Sequence, residues 1–341
     1  MRYLSKIVIC LFLLTMLLIT SCSDSSVNAP NPDSEIETLS MNQFNNLNTS
    51  QARDLSSLDL NEIKSFDDIN VMLKENGLNI SIAYAETVTR ANGAETAEGQ
   101  TIFANDRTER LTAQWVPGDT RRNADGNNLT YTVWDPFAIA NFGLPNEFNG
   151  TPAIDASFYT WNTFKKGAKL NIVKRPNTVS NPSAILSLGG VPGNPFLADI
   201  SQVGILPAFL FDAVLGAGAS SNVLGVAFTF VFIDDDGNPT DINNDGFSDI
   251  SIKEVWYNDG FNWTDSGNPA LGVDLETVAL HENGHALGFG HFGKISVTNR
   301  NNKLHVSPRA VMNAVILGTQ RTPLGTDKAS FNSIYGNWPK N

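Results

Sequence analysis

The chain is predicted to fold as an α/β or α+β sheet domain. Two observations lead there: strand-like and helix-like stretches interleave from residue 128 onward, and three of the four histidines crowd into residues 281–291 at helical spacing. Leu129 to Val133 alternates like a strand, and Pro152 to Phe164 reads as a helix opened by a proline whose missing N–H costs nothing there. Lys169 to Val173 alternates again. Val223 to Phe232 is a run of β-branched and aromatic residues suited to a buried strand, and Ile252 to Tyr257 alternates again. Between them, Pro176 to Ser221 is rich in Gly, Pro and Ala and carries no clear period. Upstream, Ser65 followed by Asp68 marks a helix start, with Phe66, Ile69 and Leu73 on one face and Gly77 placed to end it.

At 341 residues with 41% hydrophobic content the chain can build a core large enough for an enzyme. A net charge of −12, with no cluster of Lys or Arg, argues against nucleic acid as a partner. Arg2 and Lys6 precede the apolar run Ile7 to Ile19, which is short for a membrane span and fits a signal peptide over residues 1–21. Ile19-Thr20-Ser21-Cys22 resembles the lipobox of bacterial lipoproteins, and that resemblance implies an acylated Cys22 as mature N-terminus; an ordinary signal peptide cut nearby is the alternative. The expected place is the cell envelope, held to a membrane by lipid, at the outer membrane or cell surface. Residues 22–60, rich in Ser, Asn and Asp, read as a flexible tether, 61–127 as a prosegment or linker with one short helix, and 128–341 as the main domain. Cys10 and Cys22 are the two cysteines, so the expected mature domain has neither a disulfide nor a thiolate to block a metal.

The chemistry is concentrated in His281-Glu282-Asn-Gly-His285-Ala-Leu-Gly288-Phe-Gly-His291. Asp274 stands where a helix N-cap belongs, with Leu275, Val278 and Ala279 giving the next turns an apolar face. Histidines four apart on that helix present two imidazoles to one zinc ion, Glu282 is placed to act on a zinc-bound water, and Gly288 lets the chain turn back so that His291 supplies a third nitrogen. Three protein ligands and an open fourth position suit a catalytic zinc. His305 lies outside this pattern.

This constellation is the signature of the metzincin zinc peptidases, and its flanks, Val273 to His281 and Gly284 to His291, resemble the matrixin branch. Ala310-Val311-Met312-Asn313 resembles the methionine turn that underlies the metal in that clan. Ala314, two positions on, is not the tyrosine that the astacin and serralysin branches place there. Phe292 after the third histidine departs from the serine usual in animal matrixins, and the prosegment cysteine of those enzymes is missing, so latency would need a carboxylate or a steric cover. The resemblance covers about Asn128 to Gly336. It implies a twisted, mostly parallel five-stranded sheet with helices behind it, a cleft along its edge, and a smaller irregular part after His291. It further implies zinc-dependent endopeptidase activity on extracytoplasmic proteins, with Glu282 as general base, peptides lying antiparallel to the edge strand, and a side-chain pocket near Ala314, Val315 and Ile316. A non-catalytic, metal-stabilised surface binding or adhesion module is the competing reading, against which Glu282 speaks, and a zinc hydrolase of non-peptide substrates is a third.

A separate stretch, Asp241-Ile-Asn243-Asn-Asp245-Gly246-Phe247-Ser-Asp249, resembles the start of a calcium loop, with oxygens at alternate positions and the Phe247 carbonyl among them. Ile252 stands where a bidentate Glu would close the shell. A solvated acidic turn is the alternative, and Asp234, Asp235 and Asp236 lie close by in sequence.

Overall fold

A computed structural model describes residues 65–90, 110–122, 126–134, 148–164, 169–178, 181–298 and 303–340. The signal segment, the tether and Cys22 lie outside these residues. In chain order the elements are α1 (Phe66–Glu75), β1 (Ile80–Arg90), β2 (Ala113–Gln114), β3 (Leu129–Val133), α2 (Thr151–Thr163), β4 (Ile172–Lys174), α3 (Ala184–Leu188), β5 (Ile200–Leu206), α4 (Ala208–Leu215) and α5 (Ala219–Asn222). There follow β6 (Val223–Phe232), β7 (Ser248–Asn258), β8 (Trp263–Thr264), β9 (Val273–Asp274), α6 (Leu275–Ala286), β10 (Lys294–Thr298), β11 (Lys303–Ser307), β12 (Val315–Ile316) and α7 (Gly325–Tyr335). Among the described residues no helix is long and apolar enough to cross a membrane.

The main sheet has eight strands in the order β12-β1-β6-β7-β5-β3-β4, with β2 paired to β7. It is mixed but mostly parallel: β6 alone runs against its neighbours, antiparallel to both β7 and β1. The five strands anticipated from the resemblance are β4, β3, β5, β7 and β6. Eight replace five because β1 and β12 continue the sheet beyond β6, and β2 adds a short pair. Ile80, Ile82 and Tyr84 alternate with smaller residues in the sequence, so the period-two signal for β1 is present within the stretch read as prosegment or linker. Pro176 to Ser221, without a period of its own, holds α3, β5, α4 and most of α5, where β5 is buried on both faces and therefore does not alternate.

Apolar side chains fill both faces of the sheet. On one, Leu224, Ala227, Val255 and Tyr257 join Ile154, Phe158 and Trp161 of α2, Val278 and Leu280 of α6, and Phe331 and Tyr335 of α7. On the other, Val226, Phe228, Ile252 and Trp256 join Ile69 and Leu73 of α1, Ile185 of α3 and Leu210 and Phe211 of α4. The helices thus cover two faces and not one. α1 begins as its sequence requires, with the Ser65 hydroxyl accepting the Asp68 N–H.

Three charged residues, Asp249, Lys253 and Glu254, are sealed in β7. Glu254, fully buried, accepts from the Ser183 hydroxyl at 2.8 Å and from the Ala184 N–H, capping α3. Burial pushes its pKa up to about 7 despite those bonds. Because the folded state then holds a proton that the unfolded chain releases near the ordinary value, this group favours folding below about pH 4.5 and that contribution is lost as the pH rises to about 7. Urea unfolding of the wild type and Glu254→Gln, compared at either end of that window, should show the wild type losing about 3 kcal/mol relative to the variant as the pH rises. Parallel curves would mean that Glu254 does not titrate between the two states.

Candidate metal centre

α6 is a helix for local reasons. Asp274 caps it, accepting from the Thr277 N–H at 3.0 Å and from the Thr277 hydroxyl. Arg321 clamps both Asp274 and Glu276. Burial alone would raise the Asp274 pKa, but Arg321 and Thr277 outweigh it and hold the carboxyl below its usual range. The helix is buried on every side, and polar bonds fix its rotation. The Trp161 indole donates to the Leu280 carbonyl at 2.9 Å. Tyr257, Gln202, Asn283 and Ser157 form a buried chain of hydrogen bonds at 2.6 to 2.7 Å that ties the helix to β5, β7 and α2.

Its C-terminal end is held as firmly. The Trp115 indole donates to the Ala286 carbonyl at 2.9 Å, and Lys253 Nζ to the His285 carbonyl at 2.9 Å. Burial lowers the Lys253 pKa to about 7, with the Glu86 charge opposing. Gly288 then takes a φ of +83°, where a Cβ would come within 2.9 Å of Gln114 Oε1. A residue with a side chain would be both strained and obstructed there, so this glycine is what lets the chain reverse.

The reversal brings His291 to His281 and His285. The three Nε2 atoms lie 3.0, 3.2 and 3.3 Å apart, and the residues are 0 to 2% exposed. Among the described residues this is the one group of His, Cys, Asp or Glu close enough to hold a metal ion. His281 Nδ1 lies 2.7 Å from the Val311 carbonyl and His285 Nδ1 2.7 Å from the Phe289 carbonyl. A carbonyl only accepts, so each Nδ1 carries the proton and each Nε2 turns a lone pair inward. Burial, followed by the neighbouring His291, lowers the His281 pKa to about 3, and burial with both partner histidines lowers that of His285 well below the usual value. Neutral imidazoles whose lone pairs converge repel one another without a cation. Metal–nitrogen bonds of about 2.0–2.1 Å in tetrahedral array place ligand nitrogens about 3.3 Å apart, which the observed spacing fits.

Glu282 lies against the neighbouring strand β6. Its Cγ stands 2.9 Å from where a Cβ on Gly225 would be, so only glycine fits at that point of the strand. Neither carboxylate oxygen has a hydrogen-bond partner of ordinary geometry. Burial and the Glu86 charge push its pKa well above the usual value, and the more distant Val88 N–H offsets a little of this.

Below the histidines sits Met312, 2% exposed, with Sδ so close to Gly284 that a Cβ there would collide with it. The turn carrying it is fixed by Asp327, which accepts the N–H groups of Val311, Met312 and Leu324, and by Asn313, which donates to the Phe292 carbonyl at 2.7 Å. Asp327, Asn313, Gln202 and Lys253 are functional supports that sequence reasoning did not single out. For Lys253 the available signal was a lysine beside a glutamate between the apolar residues Ile252 and Val255.

Ala314 and Val315 are buried and Ile316 is half-buried. The latter two form β12, and β1 is paired against them. The acidic loop is closed by hydrogen bonds among its own residues. Asp241 accepts the N–H groups of Asp245 and Gly246, Asn243 donates to Asp245, and the Phe247 N–H donates to Asp245. Asp249 is buried and bound instead to Arg121 at 2.7 Å and to the Thr240 hydroxyl. Asp249, one of the expected calcium ligands, thus has a guanidinium beside its charge. His305 lies on the exposed strand β11, outside the histidine cluster.

No protein-family model matches the chain, and no curated protein matches it significantly.

Proposed function

We propose that this protein is a zinc-dependent endopeptidase of the metzincin type, matrixin-like, anchored in a bacterial cell envelope through Cys22. The observation that carries the reading is the set of three buried Nε2 atoms on one helix and its exit, with the buried Glu282 carboxylate next to the first of them in sequence and packed against β6. An all-imidazole set of three suits zinc over calcium or magnesium, which prefer oxygen. Zinc, when bound, polarises a carbonyl oxygen and makes water acidic enough to attack near neutral pH. His281, His285 and His291 would hold it. Glu282 accepts the proton of the attacking water and returns it to the leaving nitrogen. With β1 displaced, β6 would offer its main chain to an extended peptide, and the turn through Ala314, Val315 and Ile316 would form the opposite wall. Cleavage then needs no covalent intermediate.

The test is casein hydrolysis by the purified protein, with bound zinc quantified. A single zinc per chain is expected, with hydrolysis abolished by a chelator and restored by zinc. Zinc binding without hydrolysis of casein or of any other peptide, the chain itself included, would overturn the peptidase reading and favour a binding module.

A further inference from the structure

β1 lies between β6 and β12, antiparallel to the first and parallel to the second. An extended peptide pairing antiparallel with β6 would take that same path, so residues of the chain itself stand where a substrate would. The register is specific. Val88 pairs with Gly225, the residue that makes room for Glu282, and the Val88 N–H is turned toward the Glu282 carboxylate. One residue on, the Thr89 N–H donates to the Ala314 carbonyl at 3.5 Å, and Thr89 pairs with Val315. Two residues before Val88, the Glu86 carboxylate lies 3.6 Å from His291 Nδ1. The Thr87–Val88 bond thus follows a residue that lies beside the third histidine, and its nitrogen carries the N–H that faces the general base. The Val88 side chain is fully buried and belongs to the same apolar cluster as Leu224, Val278 and Leu280.

Resting on the peptidase reading above, we propose that β1 is an intramolecular substrate and that the protein hydrolyses its own Thr87–Val88 bond. The oxygen of one water molecule bonds to the Thr87 carbonyl carbon as the carbon–nitrogen bond breaks. Glu282 carries one water proton to the Val88 nitrogen, which leaves as an amine, and the other proton is released when the new Thr87 carboxyl ionises. No redox partner is involved. Until β1 leaves, it shields β6 from other peptides.

To test this, the full-length protein is prepared in chelator, zinc is restored, and intact mass and N-terminal sequence are followed with time, with casein assayed in parallel. A new N-terminus at Val88 is expected in the wild type and not in Glu282→Gln, with a rate constant unchanged over about a hundredfold dilution because the step is intramolecular. Val88→Asp, which puts a charge in an apolar pocket, and the isosteric Val88→Thr should slow the cut, the first by at least about tenfold. Because the charge also unseats β1 from the cluster that buries Val88, the Asp variant should digest casein without a lag. Independently of hydrolysis, amide hydrogen exchange on metal-free Glu282→Gln should show Thr87 to Thr89 protected. Casein hydrolysis with residues 80–90 intact or cut elsewhere would overturn the inference and spare the peptidase reading, as would unprotected Thr87 to Thr89 amides. A zinc-loaded protein that hydrolyses neither would overturn both.

Discussion

Glu282→Gln should lower kcat/KM for peptide hydrolysis by about 100- to 10,000-fold, or roughly 3 to 5 kcal/mol of transition-state stabilisation, while zinc stays bound. The amide keeps the shape of a side chain wedged against Gly225, so the substitution removes the proton acceptor without opening a cavity. It also removes a fully buried carboxyl that makes no hydrogen bond of ordinary geometry. The thermal midpoint should hold or rise, because a lone buried carboxyl serves chemistry and not stability. Zinc stoichiometry, kcat/KM and the melting curve are the three readings required. Activity within tenfold of the wild type would remove Glu282 from the role of base.

Asp327→Ala should act at a distance from the metal. The carboxylate accepts three backbone N–H groups, and one of them belongs to Val311, whose carbonyl receives the proton of His281 Nδ1. Its loss strands buried donors and loosens the turn that orients the first histidine. Unfolding free energy should fall on the order of 3 to 5 kcal/mol. Zinc affinity, measured by competition with a chelator, should drop about 10- to 100-fold. A variant that melts early yet binds zinc as tightly as the wild type would show that the turn supports the fold and not the histidine.

Much of the metal centre was legible because it is local. His281, His285 and Gly288 sit on one helix and its exit, and helical spacing fixes their relation within eleven residues, up to His291. β6 was legible as a long β-branched and aromatic run, and of β7 only the alternating part from Ile252 to Tyr257 was, since Ser248 to Ser251 carries two serines and an aspartate. What did not follow from the sequence is where separate segments meet. Nothing in Ser-Ile-Ala-Tyr-Ala-Glu86 states that it pairs with β6, because strand partners are chosen by tertiary packing. Asp249 has the right residue type and spacing for a calcium loop, and only the fold brings Arg121 to it across the chain. Asp327 is likewise an ordinary helix-start carboxylate until the fold lays the methionine turn over it.

The placement of β1 has a consequence for how molecules of this protein behave toward one another. With β1 inside, the outermost strands are β12, of two residues, and β4, of three. Such short margins give another chain little to pair with, so the folded protein should stay dispersed at high concentration. Were β1 drawn out, the ten residues of β6 would become a bare ribbon of donors and acceptors. The same surface that receives a peptide would then invite fibrous stacking, and one strand guards against both.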